Sequence, residues 1–329
     1  MLDGTYFPYR THQDLDLSWW GYFLSPKGEL YGVFGGKDHV SDATRISEAA
    51  LARTMERILA HHKKGGKTVP RTRSGPPTEL AAYRDYAEGR PHLAKQSCLH
   101  CHQVADILIT ESIGNGTFSK RDLEEGWPLP ENLGLFLDRD HGLLVSDVAP
   151  GSAAERCGLQ KGDTLFESNE TLLFSQADFR GVLHRADRNA TTIAVRWKRG
   201  EEELAGQLAV DDGWKKGLNW WRKSVYDGVF GPYLGFFPLR GPNQGKGTLS
   251  LRPFMGKNAG NNPWWNAGLR PQHEIIAFDG RNEDWNSREF LTWFRSRYEE
   301  GDTVTLTIRH QGSEQRITGK VPPRKRPQP

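Results

Sequence analysis

An internal repeat is the feature that most constrains the fold of this 329-residue chain. The segment LGLFL at 133–137 is echoed by LGFFP at 234–238, and ERCGLQKGDTLFESNE at 155–170 is echoed by WNAGLRPQHEIIAFDG at 265–280. In each copy a helical pattern follows, and then two runs of alternating apolar and polar residues around a Gly turn. Because these features recur in the same order, the sequence predicts two copies of one module that contains both helices and strands.

The order of these elements resembles that of a PDZ domain of the bacterial type. The matching residues in copy one are LGLF at 133–136 and VAPGSAAERCGLQKGDTL, and in copy two they are LGFF at 234–237 and NAGLRPQHEIIAFDG. The resemblance covers residues 132–211, which we call copy one, and residues 232–321, which we call copy two. It implies that each copy is a PDZ-like, partly open β-barrel.

In such a module an extended peptide adds to a free strand edge beside the helix, and backbone N–H groups of a Gly-containing loop capture a C-terminal carboxylate. The expected partners are therefore peptide or protein C termini; the alternative is a pair of domains that only pack against their neighbours. Copy two diverges more, with Gln272-His273 where copy one has Gly162-Asp163. The resemblance places the peptide-binding loops at Leu133, Gly134, Leu135 and Phe136 and at Leu234, Gly235, Phe236 and Phe237.

A Cys-x-x-Cys-His motif, formed by Cys98, Cys101 and His102, lies outside both copies in the segment 79–131. This spacing is the attachment signal for haem c, in which two thiols bond to the haem and the histidine ligates the iron. The sequence therefore predicts covalent haem c with His102 as the axial ligand. Neither Met nor a further His follows within the segment, so the candidates for a sixth ligand are His92, His100 and His141.

Three other interpretations of the motif remain open. A thioredoxin-like redox pair would place the cysteines where a strand ends and a helix begins. A zinc site would need four ligands, of which Cys98, Cys101 and a histidine supply three. The third is a thiol pair without a cofactor. The remaining cysteine, Cys157, lies inside copy one, where we expect a small buried side chain.

Residues 1–62 predict two antiparallel strands, LSWWGYFLS and LYGVFGG, joined by the turn PKGE and followed by a helix that Ser41 or Asp42 can cap. They resemble the second half of a thioredoxin-like fold, without the half that would carry its redox cysteines. Such a half-domain would expose a sheet edge and associate with a partner. Residues 63–78 have the composition of a linker. The apolar face of the helix is predicted to contain Ile46, Ala50, Leu51, Met55, Ile58 and Leu59.

The whole arrangement is similar to a multidomain family common in planctomycete-type bacteria. The stretches that carry this resemblance are YGVFGGKDH, CLHCHQV, WPLPENLGLFL and DDGWKKGLNWW. The resemblance implies a periplasmic or otherwise extracytoplasmic protein and no defined reaction. The N-terminus MLDGTYFPYR lacks the features of a signal peptide, which a truncation at the N-terminus would explain.

Composition narrows the function classes. The net charge of +3 gives no support for nucleic-acid binding, and no apolar run approaches the length of a membrane span. Beyond a redox centre, no catalytic constellation is recognised. The sequence predicts an α+β multidomain protein, and the leading hypothesis is a haem-c-bearing scaffold whose PDZ-like modules hold a partner. The alternatives are a non-redox PDZ protein that recruits clients to an envelope protease or assembly, and a degenerate thioredoxin-like thiol–disulfide oxidoreductase.

Overall fold

A computed structural model of the chain describes residues 18–37, 46–69, 101–217, 232–255 and 262–322. The structure contains both helices and β-sheets, and the chain divides into two compact units. Unit one consists of residues 1–108 and 121–217, and unit two consists of residues 109–120 and 218–329. Most of the predicted linker, and the helical stretch expected after it, lie outside the described residues.

Unit one begins with the predicted hairpin, which is confirmed. Strands β1 (Ser18–Leu24) and β2 (Leu30–Lys37) pair antiparallel, with Tyr22 opposite Val33. An exchange of backbone hydrogen bonds between Leu30 and Val69 adds a short bridge along β2.

Helix α1 (Glu48–Lys63) follows, and it begins later than the sequence suggested. Its N-cap is Ser47, whose Oγ accepts the N–H of Ala50 at 3.0 Å. The predicted caps, Ser41 and Asp42, lie outside the described residues.

The predicted apolar face of α1 is only partly right. The buried residues are Ala50, Thr54 and Ile58, which succeed one another at a spacing of four, whereas Met55 and Leu59 are about half exposed. Thr54 fits the buried stripe because its hydroxyl donates to the carbonyl of Ala50 at 2.8 Å. Met55 and Leu59 each lie one residue beyond this stripe, a rotation of about 100° around the helix, which turns them to solvent.

Helices α2 (Cys101–Gly114) and α3 (Lys120–Glu124) precede a 3-10 turn at Pro130–Leu133, and copy one begins there. Its strands form two sheets, one with β3 beside β4 and one in the order β6-β5-β7-β8. The elements of copy one are β3 (Leu135–Leu137), β4 (Val145–Val148), α4 (Ala153–Cys157), β5 (Thr164–Ser168), β6 (Thr171–Leu172), α5 (Gln176–Arg185), β7 (Thr191–Arg199) and β8 (Glu202–Val210).

Helix α5 has a reciprocal N-terminal cap. The Ser175 side chain accepts the N–H groups of Ala177 and Asp178, and the Asp178 carboxylate accepts the N–H of Ser175 at 2.9 Å. Phe179 and Leu183, four residues apart, are both 0% exposed in the core of copy one. The cap fixes where the helix starts, and the apolar stripe fixes which face it turns to the core.

Copy two has its elements in the same order but, among the described residues, no strand that corresponds to β6, and its described strands form one sheet in the order β13-β12-β11-β10-β9. Its core is rich in aromatic rings around Phe278. No helix within the described residues has the length and apolar character needed to cross a bilayer. The elements of copy two are β9 (Phe237–Arg240), β10 (Leu251–Phe254), α6 (Pro263–Asn266), β11 (Glu274–Phe278), α7 (Ser287–Arg297), β12 (Thr303–His310) and β13 (Ser313–Lys320).

Candidate functional site

The predicted peptide-binding loop of copy one lies directly after the 3-10 turn. Gly134 has a φ of 71°, in the left-handed region that favours glycine. A Cβ at this position would lie 2.2 Å from the Cβ of Ser152, so no other residue fits without a shift of the helix start. The N–H of Gly134 donates to the carbonyl of Glu131 at 3.0 Å, which closes the turn.

Strand β3 offers a free edge next to this loop. It pairs with β4 and with no other strand in the described part of the chain. The N–H of Ala149 donates to the carbonyl of Gly134 at 2.8 Å, and Leu135 lies opposite Val148. Because hydrogen-bonded and non-hydrogen-bonded pairs alternate along an antiparallel ladder, the N–H and C=O of Leu135 point away from β4. This edge can therefore accept the backbone of another extended segment.

The corresponding loop of copy two is built with different contacts. Gly235 has a φ of 91°, and a Cβ on it would lie 2.8 Å from Cδ1 of Trp264. The indole Nε1 of Trp264 donates to the carbonyl of Leu234 at 2.7 Å, and the Asn262 side chain donates to the carbonyl of Gly235. Phe236 is buried against Trp264, whereas Phe237 is 54% exposed.

The N-terminal hairpin lies on helix α5 of copy one. The N–H of Val33 donates to Oδ1 of Asp178 at 2.9 Å, and the hydroxyl of Ser175 donates to the carbonyl of Val33 at 2.5 Å. The residues that cap α5 thus also bind both backbone groups of one residue of β2. The edge of β2 therefore contacts α5 of the same unit at Val33, whereas association of the hairpin with a separate partner stays a prediction.

The Asp178 carboxylate is unusual in its environment. Burial raises its pKa to about 6, although hydrogen bonds from the N–H groups of Val33, Phe174 and Ser175 act in the opposite direction. Each of these three bonds measures 2.9 Å. The carboxylate therefore holds the hairpin, the residue before the cap and the cap itself at one point.

Arg57 of helix α1 makes a second attachment. Its guanidinium donates to the carbonyl of Phe174 at 3.0 Å and to the carbonyl of His141 at 3.0 Å. The same Nη2 lies 2.9 Å from Nδ1 of His141, and burial together with Arg57 lowers the pKa of that imidazole. His141, one of the three candidates for a sixth haem ligand, thus contacts Arg57. A cavity of about 10 Å³ remains between these elements, lined by Phe34, Ala50, Thr54, Gly142, Gln176 and Arg180.

Trp127 covers the other end of α5. Its carbonyl accepts a hydrogen bond from Nη2 of Arg180 at 2.9 Å, and its N–H donates to Nδ1 of His184 at 3.1 Å. The indole stacks on the His184 imidazole, with ring centroids 4.8 Å apart and an interplanar angle of 8°. It also lies 5.9 Å from the ring of Trp20 on β1.

The Cys-x-x-Cys-His motif falls at the border of the described residues. Cys98 lies outside them, helix α2 begins at Cys101, and only the backbone of Cys101 and His102 is described. Covalent haem therefore stays a prediction. Among the described residues, no group of three His, Cys, Asp or Glu side chains is arranged to hold a metal ion. Cys157 is a free thiol, half-buried rather than fully buried, and burial raises its pKa.

Sequence reasoning missed Trp127 and Asp178. The spacing S-x-x-D at Ser175–Asp178 is a capping signature and would have located the cap, but nothing local indicates that Asp178 also holds a strand from the N-terminus. For Trp127, the sequence offers only a Gly-Trp-Pro turn between charged residues and the glycine loop.

Comparisons with known proteins give partial likenesses. No protein-family model matches the chain. Over 69 residues it is 36% identical to serine protease HTRA2, mitochondrial, of Bos taurus, which is 21% of this chain and 14% of that protein. It therefore spans about a seventh of that relative's length.

Two solved structures are similar to parts of the chain. One is the HtrA3 PDZ domain bound to a phage-derived ligand, FGRWV, with 23% identity over 24% of this chain and 66% of that one, and a TM-score of 0.19. The other is a variant of the HtrA-type protease AlgW with a decapeptide, with 14% identity over 41% of this chain and 43% of that one, and a TM-score of 0.25. Neither a thioredoxin nor a cytochrome is among these three proteins. All three are proteins of the HtrA type by their descriptions, and the first of the two structures is a PDZ domain.

Proposed function

We propose that this chain is an interaction protein that binds the C-terminal end of an extended peptide at copy one. The observation that carries the proposal is the edge of β3, which begins next to Gly134 and has no strand on its other side within the described residues. A ligand strand would add to this edge through the N–H and C=O of Leu135. Its carboxylate would meet the loop at Leu133, Gly134, Leu135 and Phe136, at N–H groups other than that of Gly134, which is bound to the carbonyl of Glu131.

The chemistry of such a site is recognition and not a reaction. Charge-assisted hydrogen bonds from backbone N–H groups to a carboxylate are about twice as strong as neutral ones, so a free C-terminus is distinguished from an amide. Side chains of alternate ligand residues would then set the specificity. The partner would be a protein with an accessible C-terminal tail.

The similarity to a serine protease bears on the partner and not on the activity. The chain spans only 14% of that protein, and no catalytic constellation was recognised in the sequence. Recruitment of client proteins to a separate protease or assembly is therefore the form of the proposal that we favour. The extracytoplasmic location and the haem stay predictions that the peptide site does not depend on.

The test uses the pentapeptide FGRWV with a free carboxylate and the same peptide as a C-terminal amide. Calorimetric titration of the full chain should show binding of the acid and binding at least tenfold weaker for the amide. Hydrogen exchange then locates the ligand, because the amide of Leu135 should gain protection if β3 is the strand that is extended. Equal affinity for acid and amide, or protection confined to the Leu234–Phe237 loop, would contradict the proposal.

A further inference from the structure

The outward face of helix α5 is already occupied by the chain itself. We propose that this face is a binding site for an extended segment that bears an indole, and that Trp127 is its resident occupant. The proposal rests on the proposed function, because the resemblance to a PDZ domain places a ligand of the β3 edge beside α5, and it names a side chain that such a ligand carries. An external ligand would bind by replacing Trp127.

Helix α5 has no open face. Every residue from Gln176 to Leu183 is buried, including the polar residues Gln176, Asp178 and Arg180. On an amphipathic helix of a small domain, we would expect one face to remain exposed. A ligand that lies along α5 can therefore contact the helix only after one of the covering segments has left.

Trp127 makes the contacts with α5 that a bound ligand would make. Its backbone carbonyl and N–H are both bound by side chains of α5, those of Arg180 and His184. Its ring fills the space over Gly181, where an added Cβ would lie 3.6 Å from the indole. An extended peptide with a tryptophan could make the same two backbone hydrogen bonds and the same ring stack.

Of the two segments that cover α5, Trp127 is the one that can leave. It has a φ of 50°, a left-handed conformation that is strained for a bulky residue. The hairpin that covers the other end of α5 is fixed more firmly, because both backbone groups of Val33 are bound to buried side chains and Arg57 adds a further attachment. Release of Trp127 would relieve strain, whereas release of the hairpin would expose the Asp178 carboxylate.

The segment that carries Trp127 is anchored on both sides. The buried Glu125 side chain pairs with Nε of Arg121 at 2.5 Å. On the other side Nδ2 of Asn132 donates to the carbonyl of Lys215 at 2.9 Å. With both ends held, the backbone and the ring of Trp127 can leave α5 together while the loop at Gly134 keeps its place.

An intramolecular occupant lowers the apparent affinity for an external one by the fraction of molecules in which the site is open. Removal of the indole should therefore tighten peptide binding. The effect is specific to Trp127, and Trp265 offers a matched control. It is a half-buried tryptophan of copy two, packed under the Arg270 guanidinium with 4.1 Å between that group and the ring.

The first arm of the test does not depend on peptide binding. Indole is added to the full chain and to the variants Trp127→Ala and Trp265→Ala, and the ring signals of His184 are followed by NMR. Removal of an aromatic side chain from a packed site leaves a cavity that can take up an aromatic molecule. Indole should shift the His184 signals in Trp127→Ala and leave them unchanged in the full chain and in Trp265→Ala. Unchanged signals in folded Trp127→Ala would overturn the proposal.

The second arm measures FGRWV binding by the same three proteins. Trp127→Ala should bind at least tenfold more tightly than the full chain, which corresponds to a site open in no more than about a tenth of the molecules. Trp265→Ala should match the full chain, and Trp127→Phe, which keeps a smaller ring, should fall between and serves if Trp127→Ala does not fold. Affinity that is unchanged in both Trp127 variants would refute the resident-occupant role.

The two arms separate this inference from the proposed function. If indole binds to Trp127→Ala but FGRWV binds to no variant, the face of α5 is an indole site and the C-terminal peptide function is wrong. If FGRWV binds all proteins equally and indole binds none, the peptide function stands and Trp127 is a structural residue.

Discussion

His273 lies against His310, with ring centroids 5.2 Å apart, at the positions where copy one has Asp163 and Arg199. In copy one, Asp163 is 1% exposed and accepts two hydrogen bonds from the Arg199 guanidinium at 2.8 and 2.9 Å. The N–H of Gln160 bonds to Asp163, and the N–H of Arg270 bonds to Nδ1 of His273 in the same way. The two copies thus build one turn with an ion pair in one case and two imidazoles in the other.

This difference predicts a pH dependence of copy two. Burial, His310 and Arg270 lower the pKa of His273 below its usual 6.5. Below about pH 6.5 the unfolded chain therefore binds more protons than the folded chain, and the free energy of unfolding falls as the pH falls. The urea midpoint of unit two should be lower at pH 5.5 than at pH 7.5. In His273→Gln this difference should shrink, and an unchanged difference would show that other groups cause it.

The raised pKa of Asp178 predicts the opposite effect in unit one, where acidification should increase the free energy of unfolding. Its pKa is raised from 3.8 to about 6, so between these values the folded chain holds the extra proton and unfolding becomes harder as the pH falls. The contribution is about 2 kcal/mol between pH 7 and pH 4. The difference in unfolding free energy between the wild-type chain and Asp178→Asn should therefore increase on acidification over this range. A difference that stays constant with pH would mean that Asp178 is not buried as described.

Removal of the Asp178 side chain should destabilise unit one at any pH. Asp178→Ala leaves three buried N–H groups without their acceptor, and we expect a loss of about 3 kcal/mol in the free energy of unfolding. Asp140, which is exposed on the β3–β4 loop, provides the control. Asp140→Ala should change the free energy by no more than about 0.5 kcal/mol. Both values are obtained from urea titrations followed by tryptophan fluorescence.

A methyl group added at Gly32 should weaken the contact between the hairpin and α5. A Cβ at Gly32 would lie 2.9 Å from Cδ2 of Phe174 and 3.2 Å from Oδ2 of Asp178. We expect Gly32→Ala to cost about 1–3 kcal/mol, as overpacking of a buried contact does. Gly114, at the end of α2, has no atom within 4 Å of an added Cβ. Gly114→Ala should be neutral or slightly stabilising; equal effects in the two variants would refute the contact.

The haem prediction is decided by a visible absorption spectrum. The chain would be expressed with an export signal and the haem maturation machinery, and spectra recorded before and after reduction. If Cys98 and Cys101 carry haem c, a sharp reduced α-band should survive denaturation, and Cys101→Ser should weaken the covalent attachment. A colourless protein from that host would rule out haem and leave zinc or a free thiol pair.

Local elements of this fold could be predicted from the sequence, since their signals lie within a few residues. The β1–β2 hairpin and the start of α5 follow from alternation, turn residues and Ser175. The attachment of β2 to α5 could not be predicted, because its central hydrogen bond joins residues that are 145 positions apart. The buried stripe of α1 was misjudged for the same reason: which face of a helix is covered depends on the surface it meets.

The candidate site, too, could be predicted only in part. Gly134 and Gly235 were identified from the repeat, and their positive φ values are consistent with a need for glycine. The closure of α5 by Trp127 was not predictable, because a tryptophan next to a proline in a polar stretch carries no pattern that indicates its contact. The repeat indicates the features that both copies share. In our proposal, a segment outside the repeat decides whether the peptide site of copy one is open.

The double role of Ser175 and Asp178 has a consequence for folding. These residues cap the start of helix α5 and at the same time bind Val33 of the hairpin. The hydrogen bonds of the helix start and those that hold the hairpin are therefore lost together. Amide exchange in β2 and in the first turn of α5 should then proceed through one shared opening event, as in a single foldon. The hairpin is in this sense an additional strand pair of copy one, and protease sensitivity near Val33 would report on the integrity of a helix 145 residues away.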